Sequence, residues 1–421
     1  MPGGKSSSDT EYALNPVPLA ARLPLIAAVL LWASLTLDPS APYLAMWWGS
    51  SHPFLVFLAA VLIADIVLSI FSSISGYIAS REGLTYALAC ERVFGKLGVL
   101  APSVWAGVVC VGWLAFSIGV VADTLLSLAG VHGAAYYVVA ALMTLLFTVT
   151  AYKGVRHIVK LASIGVPMLI ILLVAGAVMA FRTPHSSLNL DAPAGAFSAL
   201  PILMMMILGT FVNGSITLSF DYQRFCRSPG KAVLAGFVNF LGFWSFILVI
   251  SAIPAVIVGK DLISTYKILG LTPLAAITLF ILAWTSADNQ LYSASLNWTL
   301  ASKAAGRLSD RRRVALVAAA ATIALAAVKL HTFAVQWLEI LTSISLPAGI
   351  VVWSDYLLKR KILGRDWSVS EKVNKPAFIA WAVGAIVIYY LSYKAGVWYA
   401  LPAGFAVTFI IYILLEYFFT K

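Results

Sequence analysis

The sequence predicts an all-α, polytopic membrane protein of twelve transmembrane helices, read as two five-helix repeats of opposite sense followed by two further helices. Three observations carry that prediction. The first is composition: 61% of the 421 residues are hydrophobic, 11% are charged and the mean hydropathy is +0.94. A soluble domain carries about 25% charged residues. The second is a succession of twelve apolar stretches, close to or above the roughly 20 residues that a helix needs to cross the hydrocarbon core. The third is the position of the basic residues, which fall almost wholly in alternate loops.

In order along the chain, stretch one covers 22–49, follows Lys5 and Arg22, and is broken at Leu37, Asp38, Pro39, Ser40, Ala41 and Pro42. Stretch two, 53–80, ends at the basic cluster around Arg81, and stretches three and four, 101–130 and 134–152, end at one around Lys153. Stretch five, 156–181, leads into a long connection from Arg182 to Ala196. Stretch six, 197–222, is broken at Gly209, Thr210, Phe211, Val212, Asn213, Gly214 and Ser215, and ends at Arg224. Stretches seven and eight, 231–258 and 272–302, run to the basic segment from Lys303 to Arg313. Stretches nine and ten, 314–330 and 333–358, run to the segment from Lys359 to Lys375, and the last two cover 374–393 and 396–419. With the amino terminus cytoplasmic, 23 of the 28 Lys and Arg residues fall on the inner side, against Arg182, Lys260, Lys267, Lys329 and Lys394 outside. Both termini are then cytoplasmic in a cell inner membrane.

The two breaks organise the chain. An aspartate beside prolines inside a span costs several kcal/mol unless protein, water or ligand satisfies the freed backbone and the charge. Spans 1–5 (22–182) and 6–10 (197–358) each open on a broken helix, and an odd number of spans inverts the second unit relative to the first. Matching breaks in inverted repeats point to a substrate and ion site near the bilayer midplane. Residues 374–421 lie outside the repeat, and residues 1–21 read as a disordered cytoplasmic tail without a signal peptide.

The net charge of +11 would suit nucleic-acid binding, but the cations sit in short loops on one side. They fit topology and contact with anionic membrane lipids instead. Cys90, Cys110 and Cys226 are too scattered for a disulfide framework or a zinc site. Nor do the five histidines form a metalloenzyme constellation. A binding-and-exchange protein is expected, not an enzyme.

The segment from Ala60 to Arg92 (AVLIADIVLSIFSSISGYIASREGLTYALACER), then VFGKLG and GWLAF at 112–116, resembles the nucleobase:cation symporter-1 family, in particular its cytosine permease branch. Three further blocks agree in order and spacing: GTFVNGSITLSFDYQRFCR at 209–227, AWTSADNQLYSASL at 283–296, and LEILTSISLPAGIVVWSDYL at 338–357. The resemblance implies the five-plus-five fold shared with amino-acid and amine symporters. It also implies a secondary transporter that carries a heterocycle by cation symport.

A planar heterocycle needs an aromatic face and a few hydrogen-bonding groups on its edge. The resemblance assigns the aromatic roles to Trp113 and Phe211. Thr210 and Asn213 in the second break, and Ser117 one turn after Trp113, are candidate edge partners. For the coupling ion the resemblance implies carbonyls of Ser34, Leu37 and Leu282 with the hydroxyls of Thr285 and Ser286. The coupling ion is then sodium, with a proton as the alternative. Asp221, Asp288 and Asp355 are expected to pair with Arg224 or with helix ends, and Asp65 with a buried polar neighbour. Related cytosine permeases carry Gln and Asn where this chain has Cys110 and Leu282, and an uncharged residue where it has Asp38. Asp38 then has three readings: partner of an amino-bearing or cationic substrate, proton-coupling site, or cap of the unwound backbone. Cytosine or another nucleobase is the default cargo. A vitamin precursor such as a hydroxymethylpyrimidine, or another amino-bearing heterocycle, is the alternative.

Overall fold

The computed structural model describes residues 11–183, 188, 190–259, 262–307, 310–369 and 372–419. Lys5, Lys260 and Lys421, used above in the charge count, lie outside them. The helices are α1 Leu25–Thr36, α2 Ser40–Ser51, α3 Phe54–Glu82, α4 Tyr86–Phe94, α5 Leu100–Leu128, α6 Ala135–Lys153, α7 Val155–Ala180, α8 Leu200–Asn213 and α9 Ser219–Gln223. They continue as α10 Pro229–Phe237, α11 Ser245–Val258, α12 Leu262–Ile268, α13 Thr272–Ala304, α14 Arg311–Ala327, α15 Ala334–Tyr356, α16 Lys375–Tyr389 and α17 Ala400–Phe419. Among the described residues, nine helical stretches are long and apolar enough to cross a membrane, and the bent pair α1–α2 makes ten.

Helices also lie at the two remaining predicted spans. The 17-residue α14 is short, and α13, 33 residues long, is diluted in apolarity by a run of polar side chains. Thr285, Ser286, Asp288, Asn289, Gln290, Ser293, Ser295, Asn297 and Thr299 are all buried. A polar stripe of this kind is tolerated at membrane depth where a helix runs through protein interior instead of lipid. The partner that encloses α13 most extensively is α5.

The first break is as expected. Helices α1 and α2 meet at 60° across Leu37, Asp38 and Pro39, where Leu37 leaves the helical region with φ −80° and ψ 68°. Pro39 has no N–H to continue the ladder, and the Asp38 Oδ1 accepts instead from the Ser40 amide at 2.8 Å, starting α2. The second break is corrected. Residues 209–218 stay helical, with α8 passing through a π-helical turn at Gly214–Leu218 into α9. Thr210, Ser215 and Thr217 donate their hydroxyls back to the carbonyls of Ile207, Val212 and Asn213 at 2.6, 2.9 and 2.9 Å. The small polar residues read as a break therefore satisfy the backbone of a widened turn.

The tail expectation is also corrected for residues 11–21. Val17 N donates to Gly83 O at 2.8 Å and Leu23 N to Phe225 O at 2.8 Å. Val155 N donates to the Glu11 carboxylate at 3.2 Å, and Arg224 donates to the carbonyls of Glu11 and Tyr12 at 2.9 and 2.8 Å. One strap thus touches the ends of α3 and α9 and the start of α7. Arg311 adds the loop before α14, donating to Ala151 O and Tyr152 O at 3.1 and 2.9 Å. These loops share one face of the bundle, as the alternation of basic residues requires. Residues 1–10 lie outside the described residues. The helix α4, unforeseen in a predicted loop, is started by Thr85, whose hydroxyl accepts from Leu88 N at 3.0 Å.

Candidate substrate and ion site

The break between α1 and α2 opens on a small central cavity with about 350 Å³ of free space, part of it open, lined by side chains that include Asp38, Ser40, Trp113, Phe211, Trp244 and Gln290. Thr210, Asn213, Gly214 and Leu218 complete the wall on the α8 side. Of the six predicted substrate residues, Asp38, Trp113, Thr210, Phe211 and Asn213 line it. Ser117 does not line it. Its hydroxyl stands behind the carboxylate, donating to Asp38 Oδ2 and Oδ1 at 3.2 and 3.3 Å, because one turn along α5 carries it past the cavity toward the helix break.

The two aromatic residues reach the cavity from separate packings. Trp113 stands edge-on to Phe116 at 5.5 Å. Phe211 is held by Trp244 at 4.6 Å and Phe240 at 5.3 Å. Gly214 matters here, since a Cβ on it would sit 2.5 Å from Phe211 Cδ1. The turn that looked like a break therefore gives the Phe211 ring its room.

The acidic side chain is the electrostatic centre. Asp38 is 5% exposed and accepts from the Ser40 amide and hydroxyl, from Ser117, and from Ser286 on α13. Burying a carboxylate costs several kcal/mol unless donors surround it, and here four hydrogen-bonding groups from three elements do so. The cap reading of Asp38 is thus visible in the geometry. It also leaves the carboxylate at the wall of the cavity.

Sequence reasoning missed Ser40, Gly214, Leu218, Trp244 and Gln290 as lining residues. Gln290 follows Ser286 by one helical turn, and that spacing places both on one face of α13. The oxygens Asn213 Oδ1 and Gln290 Oε1 are buried and have no hydrogen-bond partner among the described residues. Buried polar atoms are normally paired, so the cavity offers two amides and a carboxylate to whatever occupies it.

The five predicted ion residues gather where α1 meets α13. Ser34 Oγ donates to Leu31 O at 2.8 Å and accepts from Asn289 Nδ2 at 2.8 Å, and Asn289 Nδ2 also reaches Thr285 O at 2.7 Å. The Thr285 hydroxyl bonds Ile281 O and Leu282 O at 3.0 and 3.2 Å, while that of Ser286 goes to Asp38. Because α1 stops at Thr36, the carbonyls of its last turn, Ser34 to Leu37, lack a following helical turn to bond them. Hard oxygens of this kind suit a small cation.

Three other carboxylates have local roles. Of the two partners expected for it, the Arg224 side chain or a helix end, Asp221 takes the helix end, at the start of α4. It accepts from Tyr86 N at 3.1 Å and Asn297 Nδ2 at 3.3 Å, while Arg224 Nε bonds the Asp221 carbonyl at 3.1 Å. Asp355 meets Lys359 at 2.7 Å, Trp367 at 2.6 Å and the Tyr412 hydroxyl. Asp65 accepts from Ser245 at 2.5 Å, the buried polar neighbour anticipated for it.

A bundle of membrane-crossing helices built around a polar, aromatic-walled cavity at a helix break defines the class of multi-pass solute transporters. The sequence profile described as "Permease for cytosine/purines, uracil, thiamine, allantoin" matches residues 46–412. The cytosine permease of Escherichia coli K12 is 29% identical over 360 residues, covering 84% of this chain and 83% of the relative. Mhp1, a nucleobase-cation-symport-1 transporter solved in a closed conformation with bromovinylhydantoin bound, shares the fold with TM-score 0.77 at 16% identity, over 96% of each chain. A Na+-coupled sialic acid symporter has the same fold with TM-score 0.69 at 14% identity, over 97% of this chain and 93% of its own. The chain belongs to the cytosine/purine permease family, the nucleobase:cation symporter-1 family that its motif blocks resemble. It is a membrane permease and not an enzyme.

Proposed function

We propose that the protein imports a nucleobase-like heterocycle across the cytoplasmic membrane by cation symport, alternating access around the central cavity. The observation that carries this reading is the composition of that cavity: Trp113 and Phe211 offer aromatic faces, and Asp38, Asn213 and Gln290 offer polar edges. Stacking contributes about 1–3 kcal/mol per aromatic contact, and the edge groups select the ring. Twelve spans in a five-plus-five inverted repeat, with both termini cytoplasmic, complete the proposed architecture. Sodium is the proposed coupling ion, held by the carbonyls of Ser34, Leu37 and Leu282 with the hydroxyls of Thr285 and Ser286. The experiment is a thermal-unfolding screen of purified protein against nucleobases, hydantoins and thiamine precursors, with sodium and pH varied. A ligand that binds only the folded protein raises its apparent stability. Absence of stabilisation by every planar heterocycle would sink the reading.

A second reading rests on Asp38. A carboxylate at the wall of the cavity favours a substrate that brings hydrogen-bond donors or positive charge, such as an aminopyrimidine. Protonation of the same group would then supply proton coupling. Stabilisation by an aminopyrimidine that responds to pH and not to sodium distinguishes it from the first reading.

A further inference from the structure

Away from the central cavity, helices α3, α10, α15 and α17 leave a long apolar groove on the outer surface of the bundle, with roughly 1130 Å³ of free space, part of it open. Its walls include Ile70, Ile74, Phe237, Trp353 and Phe409. Ile70, Ile74 and Phe237 are 44, 38 and 36% exposed, as expected of side chains that face hydrocarbon.

One end of the groove is charged. The Tyr77 hydroxyl accepts from Arg81 Nη1 at 3.1 Å and from Lys361 Nζ at 3.4 Å, and the Lys361 ammonium lies 5.5 Å from the Tyr77 ring centre. The surrounding cations all have acids: Arg92 has Glu82, Lys359 has Asp355 and Glu416, and Arg360 has Glu82 and Asp366. Arg81 and Lys361 have no carboxylate within ion-pair distance among the described residues. The groove-lining Tyr356, 4% exposed, holds a buried hydroxyl with no hydrogen-bond partner among the described residues. Two cations without an ion-pair partner and a hydroxyl without a hydrogen-bond partner, among the described residues, thus flank a slot of hydrocarbon-like surface in a membrane protein.

We propose that this groove binds an anionic glycerophospholipid, with an acyl chain along α3 and α15 and the phosphate between Arg81 and Lys361. Charge complementarity selects the anionic headgroup, and burial of the chain at about 0.8 kcal/mol per CH₂ favours a lipid over a free phosphate. The proposal does not rest on the transported substrate.

The test uses the full-length protein in neutral detergent, with thermal unfolding and native mass spectrometry after adding dioleoylphosphatidylglycerol, dioleoylphosphatidylcholine or glycerol 3-phosphate. The expected result is retention of phosphatidylglycerol and a larger stabilisation by it than by phosphatidylcholine, with no shift from glycerol 3-phosphate. The double variant Arg81→Gln, Lys361→Gln loses the preference for the anionic lipid. Ile74→Trp, which fills the groove, loses binding of the lipid there. Arg81→Lys, Lys361→Arg keeps both charges and the preference, and separates a charge effect from a folding defect. Equal stabilisation of the wild type by the two lipids, an undiminished preference in the Gln variant, or an equal shift from glycerol 3-phosphate would each overturn the proposal.

Discussion

Ser286 Oγ donates a hydrogen bond to Asp38 Oδ2. The hydroxyl is one proposed to hold the coupling ion, and the carboxylate is the acidic side chain of the central cavity. A single hydrogen bond across the contact between α13 and the α1–α2 break thus joins the two halves of the proposed site. Any ligand that draws on Asp38 competes for the acceptor of Ser286, and any ion that takes the Ser286 oxygen changes the donors around Asp38.

Replacing Asp38 by Asn removes the charge and keeps an acceptor for the Ser40 amide, so the variant is expected to fold. Apparent affinity for the transported heterocycle should change by about tenfold or more, equivalent to about 1.4 kcal/mol, with an altered order of preference. Uptake measured across a substrate panel and a pH series checks it. Unchanged preference removes the substrate role of Asp38, and an unchanged pH profile removes its proton-coupling role.

Trp113→Ala and Phe211→Ala should each weaken heterocycle binding by the loss of one stacking face, about 1–3 kcal/mol, while the two variants stay folded. Titration calorimetry against the ligand identified in the thermal screen measures this directly. Wild-type affinity in both variants would show that the ligand sits elsewhere.

Gly214→Ala tests the positioning of Phe211. The added methyl would meet Phe211 Cδ1 at 2.5 Å and must push the ring from its place, so affinity falls although no ligand-facing group has been removed. Equal binding by the variant and the wild type would mean that the π-helical turn has no part in shaping the cavity.

Arg224 is fully buried and donates to the carbonyls of Glu11 and Tyr12 and to the Tyr292 hydroxyl. Hydrogen bonds to a charged group contribute about 1.5–3 kcal/mol each. Arg224→Gln should therefore release the strap, lower thermal stability and expose residues 11–23 to limited proteolysis before the helices are cut. A cleavage order identical to that of the wild type would contradict the latch.

Much of the fold was legible because membrane insertion imposes simple rules. Apolar length marked the spans, and basic residues near Arg81, Lys153, Arg224 and Arg311 marked loops that do share one face. The prolines beside Asp38 gave the first break correctly, since Pro39 has no N–H to carry the ladder of α1 onward. The Gly209–Ser215 segment misled, because hydroxyl residues signal a break only when their side chains leave the helix. Here those of Thr210 and Ser215 bond its carbonyls. Of the six residues expected to meet the substrate, five line the one cavity, which residue type and motif brought together. Ser117 faced the same helix side as Trp113 but bonded the carboxylate behind the cavity, a distinction of depth that helical spacing does not encode. Gln290 was hidden inside a motif whose other members drew attention, although its spacing from Ser286 placed it on the same face. The strap at residues 11–23 carries no periodic signal, as its order comes from the buried guanidinium of Arg224 far along the chain.

The most direct test of the central account, that Asp38 links heterocycle and cation, is ligand-induced stabilisation of wild type and Asp38→Asn measured in sodium and in choline chloride. The expected result is a sodium-dependent shift in the wild type and loss of that dependence in the variant. A shift of the same size in both salts for the wild type, or an unaltered sodium dependence in Asp38→Asn, would contradict it.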